Sequence, residues 1–99
     1  MPRLRTMPRS NELAILESEV WVIGSHRSVD RLLPNGRRLA FCEVYSGALD
    51  SLQQADAVQR LIAAAPDLLS ALRMLVTHAP GEAQAQALRA IAKATGARP

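Results

Sequence analysis

Residues 20–45 read VWVIGSHRSVDRLLPNGRRLAFCEVY, and this stretch decides the fold. Its first four residues are β-branched or aromatic and precede a glycine, which is typical of a strand. A second run at 28–33 is followed by a proline and then by Asn35 and Gly36, a pair that tolerates the positive φ of a tight hairpin. The third run, at 37–46, alternates between two sets of side chains as a strand does. The stretch therefore predicts a three-stranded antiparallel meander.

A helix is predicted directly after the strands. Apolar residues recur at three- and four-residue spacing over 51–65, which is the period of a helix face. Ser51 and Gln54 fit a capping box, in which each residue satisfies a backbone amide near the other. Pro66 disfavours helical geometry at the residue before it and lacks an amide of its own, so the helix should end or kink there.

Two further helices are predicted in the rest of the chain. The first covers 67–78 with a continuous leucine-rich stripe, and the second covers 82–95, is rich in alanine and has Gly96 as its C-cap. The fold class is therefore α+β, with a three-stranded antiparallel β-meander followed by two or three helices packed on one face. We expect residues 1–11 to be a flexible basic arm and residues 12–99 to be a single domain.

The apolar pattern also predicts which side chains form the core. We expect large apolar residues from the sheet and from the first two helices to meet between them: Trp21, Ile23, Leu39, Phe41, Leu61, Ile62, Leu68, Leu69 and Leu72. Strict alternation over the third strand would place Leu39, Phe41 and Tyr45 on one face and Ala40, Cys42 and Val44 on the other.

Composition and charge narrow the class of protein. Apolar residues make up 48% of the 99 residues and charged residues 21%, as in ordinary globular domains. Three of the twelve basic residues lie in the first ten positions, and the other nine balance the nine acidic residues. The most apolar stretch, 61–80, contains Asp67 and Arg73, which argues against a membrane span. We expect a soluble, cytoplasmic protein.

Residues that could carry chemistry are few and scattered. Cys42 is the only cysteine, so no internal disulfide can form, and a mid-strand thiol most often acts as a small buried hydrophobe. His26 lies between serine and arginine at a turn, and His78 suits the end of a helix. The single glycines form no phosphate-binding loop, and no metal-ligand spacing is present. We expect no catalytic residue, no cofactor and no metal.

Two groups of residues are candidates for partner binding. Arginines around the hairpin could contact phosphates, which makes a small nucleic-acid-binding module one hypothesis: Arg27, Arg31, Arg37 and Arg38. Leu88 and Ile91 are the large apolar residues of the alanine-rich helix and could meet a partner or a second copy. A homodimer and a complex with another protein both remain open from this pattern.

The helical half resembles a known group of proteins. Residues 55–72 read ADAVQRLIAAAPDLLSAL and residues 88–96 read LRAIAKATG. They are similar to small phage and prophage proteins that carry an "ANARLIAAAPELLEAL"-like segment after a Trp-containing β-region and often end in an "ARAAIAKA"-like helix. The chain has Ala57-Val58-Gln59 where that group has Asn-Ala, and it lacks the Pro-Gly-Pro lead-in. The resemblance covers about residues 19–96.

What the resemblance implies is an origin rather than a mechanism. Small accessory phage proteins commonly bind and redirect a host protein, and inhibitors of bacterial defence such as anti-CRISPR proteins are one outcome. The leading hypothesis is therefore a non-enzymatic phage or prophage accessory protein that binds a host protein or protein complex in the cytoplasm of the bacterial host cell. Binding of nucleic acid through the hairpin arginines is the alternative.

Overall fold

An antiparallel sheet and three helices follow one another along the chain. The computed structural model describes residues 17–96. Within them the strands lie in the order β1-β2-β3 and are β1 Val20–Ile23, β2 Ser28–Leu32 and β3 Arg38–Glu43. The helices are α1 Leu52–Ala63, α2 Ala65–Val76 and α3 Gly81–Thr95. The predicted meander, the three helices and the α+β class are confirmed, while the predicted arm at 1–11 lies outside the described residues.

The chain divides into two compact units. One unit, Glu19–Pro66, contains the sheet and α1, which packs against β1 and β2. In the described residues the other unit comprises 17–18 and 67–96, and it contains most of α2 and all of α3. They are called here the sheet unit and the helical unit. The single domain expected over 12–99 stays a prediction.

The turn between β2 and β3 is the one that the sequence predicts. Gly36 has φ 88°, the left-handed region that glycine enters at little cost, and its amide donates to the carbonyl of Leu33 at 2.8 Å. The side-chain oxygen of Asn35 accepts from the amide of Arg37 at 2.9 Å. These local hydrogen bonds fix the register of the hairpin.

A β-bulge interrupts the third strand. Arg31 pairs with Leu39 and Val29 pairs with Cys42, so two steps along β2 correspond to three along β3, and Phe41 lies in the extra step. The strict alternation expected for this strand is therefore wrong. Because the bulge shifts the pleat by one residue, Leu39 and Cys42 belong to the same face of the sheet.

The core differs from the predicted one. Among the described residues, Val29 and Ala55 are fully buried in the sheet unit, and Val76 is buried in α2. Four residues that we expected in the core are exposed: Ile23, Phe41, Leu61 and Leu68. The other five are half-buried: Trp21, Leu39, Ile62, Leu69 and Leu72.

The exposure of Leu61 follows from which face of α1 is buried. Its two buried residues are Ala55 and Gln59, which lie four residues apart and so share one face of the helix. Leu61 follows Gln59 by two residues, about 200° further around the helix axis, and is therefore exposed. The apolar spacing identified the helix correctly, but it did not identify which side of the helix packs.

The helix ends follow their local signals closely. The hydroxyl of Ser51 accepts from the amide of Gln54 at 3.0 Å, as the capping box requires. The side chain of Gln54 accepts from the amide of Asp50 at 2.9 Å rather than from that of Ser51. Pro66 is the second residue of α2. Gly96 is the C-cap of α3, as predicted, and has φ 75°.

Candidate interaction surfaces

The turn between β1 and β2 has an unusual backbone. His26 and Arg27 have φ of 55° and 57°, in the left-handed region that residues with a Cβ occupy at a cost. The turn is closed by the amide of Gly24, which donates to the carbonyl of Ser28 at 3.0 Å. A Cβ at Gly24 would overlap the carboxylate of Asp30 and the hydroxyl of Ser28, so only glycine fits there.

Helix α1 holds this turn from the side. The amide of the Gln59 side chain donates to the carbonyl of Ser28 at 2.8 Å and to that of Gly24 at 3.2 Å, and Gln59 is 5% exposed. The guanidinium of Arg27 donates to the carboxylate of Asp56 at 3.0 Å. Two side chains of one helix therefore fix a strained turn, and His26 lies exposed at its tip.

Glu19 connects the first two strands on the sheet. Its carboxylate accepts from the Nε of Arg31 at 2.9 Å and the Nη2 of Arg31 at 2.5 Å, and also from the indole nitrogen of Trp21 at 3.3 Å. The hydrogen bond from Arg31 holds the pKa of the Glu19 carboxyl below its usual value. The same bond raises the pKa of Arg31, so the two groups are a charged pair at neutral pH.

An aromatic pair lies on the same face as Arg31. Trp21, Arg31 and Leu39 are paired across the three strands, so they share one face of the sheet. The ring centroids of Trp21 and Phe41 are 4.6 Å apart at an interplanar angle of 59°. Phe41 is nevertheless 44% exposed. We call this surface, formed by Trp21, Arg31, Leu39 and Phe41, the aromatic face.

The four hairpin arginines do not form one basic patch. Arg27 and Arg31 are neutralised by Asp56 and Glu19. Among the described residues, Arg37 and Arg38 form no ion pair and are exposed. The structure thus brings all four to the sheet unit, and within residues 17–96 it pairs Arg27 and Arg31 with a carboxylate but not Arg37 and Arg38.

The helical unit exposes a set of large apolar side chains on α2. Leu68, Met74 and Leu75 are 52%, 72% and 64% exposed. Leu68 and Leu75 lie seven residues apart and so share one side of the helix. Beside them, the guanidinium of Arg73 binds the carboxylate of Glu17 through two bonds of 2.9 and 3.1 Å. The sequence pattern placed Leu68 in the core, so this surface was missed.

The two partner-binding candidates in α3 are only partly available. Leu88 is 53% exposed and Ile91 is half-buried. Next to Leu88, Arg89 approaches Glu82 at 3.5 Å on the exposed side of the helix. Leu88 therefore adds to the apolar surface of the helical unit more than Ile91 does.

Metal-binding clusters and unpaired buried polar side chains are absent from the part of the chain that the structure describes. Over residues 17–96, no three His, Cys, Asp or Glu side chains lie close enough together to hold a metal ion. In the same range every buried side-chain nitrogen or oxygen has a hydrogen-bond partner. Cys42 is a free, half-buried thiol.

None of the helices in residues 17–96 has the length and apolar character that crossing a bilayer requires.

The fold is that of a small α+β protein. The family model described as Salmonella phage P22 protein Y8K6 matches residues 19–98, and the chain belongs to that family. This confirms the resemblance to small phage proteins at the level of a phage protein family. Comparison with curated proteins gives no significant match, and comparison with solved structures gives none either.

Proposed function

We propose that this phage accessory protein acts without catalysis, by binding a host protein in the host cytoplasm. We propose further that antagonism of bacterial defence, in the manner of anti-CRISPR proteins, is the activity that this binding serves. Membership in a phage protein family supports the accessory role. The exposed apolar surface of α2 is the observation that supports binding to a protein.

Three exposed large apolar residues within two helical turns can supply the buried centre of a protein interface. Buried apolar anchors supply most of the binding energy in such interfaces, while the surrounding polar residues mainly exclude water. Leu68 and Leu75 offer two such anchors on one side of α2, and Met74 adds a flexible side chain that adapts to a partner. Leu88, from α3, is a further exposed anchor in the same unit.

Affinity capture from nuclease-treated bacterial lysate tests the proposal. We expect the wild-type protein to retain a host protein in a complex that persists on gel filtration. Leu75→Asp should lower the amount retained by about tenfold or more, since a charge in a buried interface is costly. Ala57→Asp is the control, because it places the same charge at an exposed position of α1 in the sheet unit. Equal retention by both variants would contradict the proposal.

Self-association is a competing use of the same surface. A homodimer in which α2 and α3 pack across a twofold axis would also cover these side chains. Sedimentation at micromolar concentration distinguishes the two cases, since a dimer of the wild-type protein that dissociates in Leu75→Asp assigns the surface to a second copy. A monomer that forms a stoichiometric complex with a host protein assigns it to the host.

A further inference from the structure

We propose that the aromatic face of the sheet unit binds single-stranded nucleic acid, with a base packed against the rings of Trp21 and Phe41 and a phosphate at Arg37. This is a second binding site that is independent of the apolar surface of α2. It also replaces the four-arginine patch suggested by the sequence with a site on one defined face of the sheet.

The rings are held in place, and that of Phe41 remains accessible. Trp21 donates its indole N–H to Glu19 at 3.3 Å, and its ring meets that of Phe41, so neither ring needs to be ordered when a ligand binds. Trp21 is half-buried and Phe41 is 44% exposed, whereas Val29, which the strand register places on the same face, is fully buried. Aromatic side chains on an antiparallel sheet are the usual platform on which sheet-based proteins stack unpaired bases.

A positive charge lies on the same face. The amide of Leu33 donates to the carbonyl of Arg37 at 2.9 Å, which extends the β2–β3 ladder by one residue beyond Leu32 and Arg38. Because side chains alternate along a strand, Arg37 belongs to the face that carries Leu39, and Arg38 belongs to the opposite face. Arg37 is about 13 Å from the bulged Phe41 along the strand, four residues at about 3.3 Å each.

A second charge on this face is present but compensated. Arg31 is paired across the sheet with Trp21, and its guanidinium is bound by Glu19. Replacing Glu19 with the isosteric Gln keeps an acceptor for the indole N–H and removes the negative charge. We therefore expect Glu19→Gln, which removes the ion pair and frees the charge of Arg31, to strengthen binding to nucleic acid.

The sole tryptophan provides a direct measurement. Trp21 is the only Trp of the chain, so its fluorescence reports on this face and on no other. We would titrate the full chain with an oligothymidylate of about 12 nucleotides at low salt and follow quenching, using a site size typical of single-strand binders. Binding should weaken as salt rises, and a polyglutamate of similar length should give no quenching.

Four variants locate the site. Phe41→Leu should weaken binding by about tenfold or more through the lost stacking. Arg37→Gln should weaken it and reduce the slope of log K against log salt by about 0.7, the value for one phosphate contact on a single strand. Arg38→Gln, the neighbouring arginine on the other face, is the matched control and should change neither quantity. Glu19→Gln should tighten binding.

Several results would overturn the proposal. One is the absence of quenching at low salt by a wild-type protein whose circular dichroism shows it to be folded. If Arg37→Gln and Arg38→Gln weakened binding equally, the contribution of the arginines would not depend on which face of the sheet they occupy, and the aromatic face would not be the binding site. Quenching by polyglutamate that matches quenching by the oligonucleotide would assign the face to an acidic protein segment. Leu75→Asp should leave oligonucleotide binding unchanged, so a failure here and a failure of host-protein binding are separable.

Discussion

Gln59 is expected to be the most sensitive polar residue of the sheet unit. Its side-chain amide is the bridge between α1 and the strained turn, with bonds of 2.8 Å to the carbonyl of Ser28 and 3.2 Å to that of Gly24. Gln59→Met conserves the length of the side chain and removes both donors. The carbonyl of Ser28 keeps the bond from the amide of Gly24 at 3.0 Å, whereas the carbonyl of Gly24 loses its donor.

The size of the effect follows from these contacts. Two lost hydrogen bonds at about 1 kcal/mol each give a loss of about 2 kcal/mol, within the range of about 1–3 kcal/mol for leaving a buried polar group unpaired. At about 1 kcal/mol/M, a typical urea dependence for a small protein, the midpoint should fall by about 2 M. Gln59→Met also removes a polar side chain from a buried site, which offsets part of this loss. A loss of about 1 kcal/mol is therefore the smallest that is consistent with the two hydrogen bonds from Gln59.

The assay is urea unfolding followed by Trp21 fluorescence, which reports on the sheet unit. Gln53→Met is the matched control, since Gln53 is an exposed glutamine of the same helix and the same substitution there should change the free energy of unfolding by less than about 0.5 kcal/mol. If Gln59→Met unfolds within that margin of the control, the side chain does not hold the turn and the reasoning is wrong.

Three other changes test separate parts of the sheet unit. Gly24→Ala should lower the free energy of unfolding by about 1–3 kcal/mol because a Cβ has no room there, whereas Gly47→Ala, in open space, should be neutral or stabilising by up to about 1 kcal/mol; similar losses in both would contradict the steric explanation. Because the pKa of Glu19 is lowered in the folded state by its bond from Arg31, the pair stabilises the fold above the unfolded pKa of about 4.3 and this contribution disappears as the pH falls through the folded value. Glu19→Gln should therefore flatten the acid limb of a plot of stability against pH, and a limb parallel to that of the wild-type protein would refute this. Cys42, which is half-buried, should react with a thiol reagent about tenfold more slowly in the folded protein than in urea, and equal rates would show an open thiol.

The features predicted well from the sequence are those fixed by a few adjacent residues. Asn35 and Gly36 specify the β2–β3 turn through bonds within the turn itself, and Ser51 caps α1 through an amide three residues away. Gly96 adopts the left-handed conformation at the end of α3. Such signals depend on local backbone geometry, so the rest of the fold does not alter them.

The features predicted poorly depend on tertiary contacts. Apolar spacing in α1 fits more than one buried face, and the face containing Ala55 and Gln59 is chosen by the contacts that this helix makes with β1, β2 and the turn. A polar residue such as Gln59 carries no periodic signal that would mark it as buried. The ion pair between Arg31 and Glu19 could not be predicted from the sequence either. It depends on the pairing of β1 with β2, which brings residues twelve positions apart together.

The bulge at Phe41 has a consequence for the open side of the sheet. Within the described residues β3 is an outer strand, with no strand beyond it. A straight outer strand presents a regular row of unpaired amides and carbonyls, on which the strand of another molecule can template itself and begin an aggregate. A bulge breaks that row and twists it, and the charges of Arg38 and Glu43 at the two ends discourage a neighbour further. The irregularity that hides the strand pattern in the sequence thus leaves this outer strand poorly matched to the edge of a second copy.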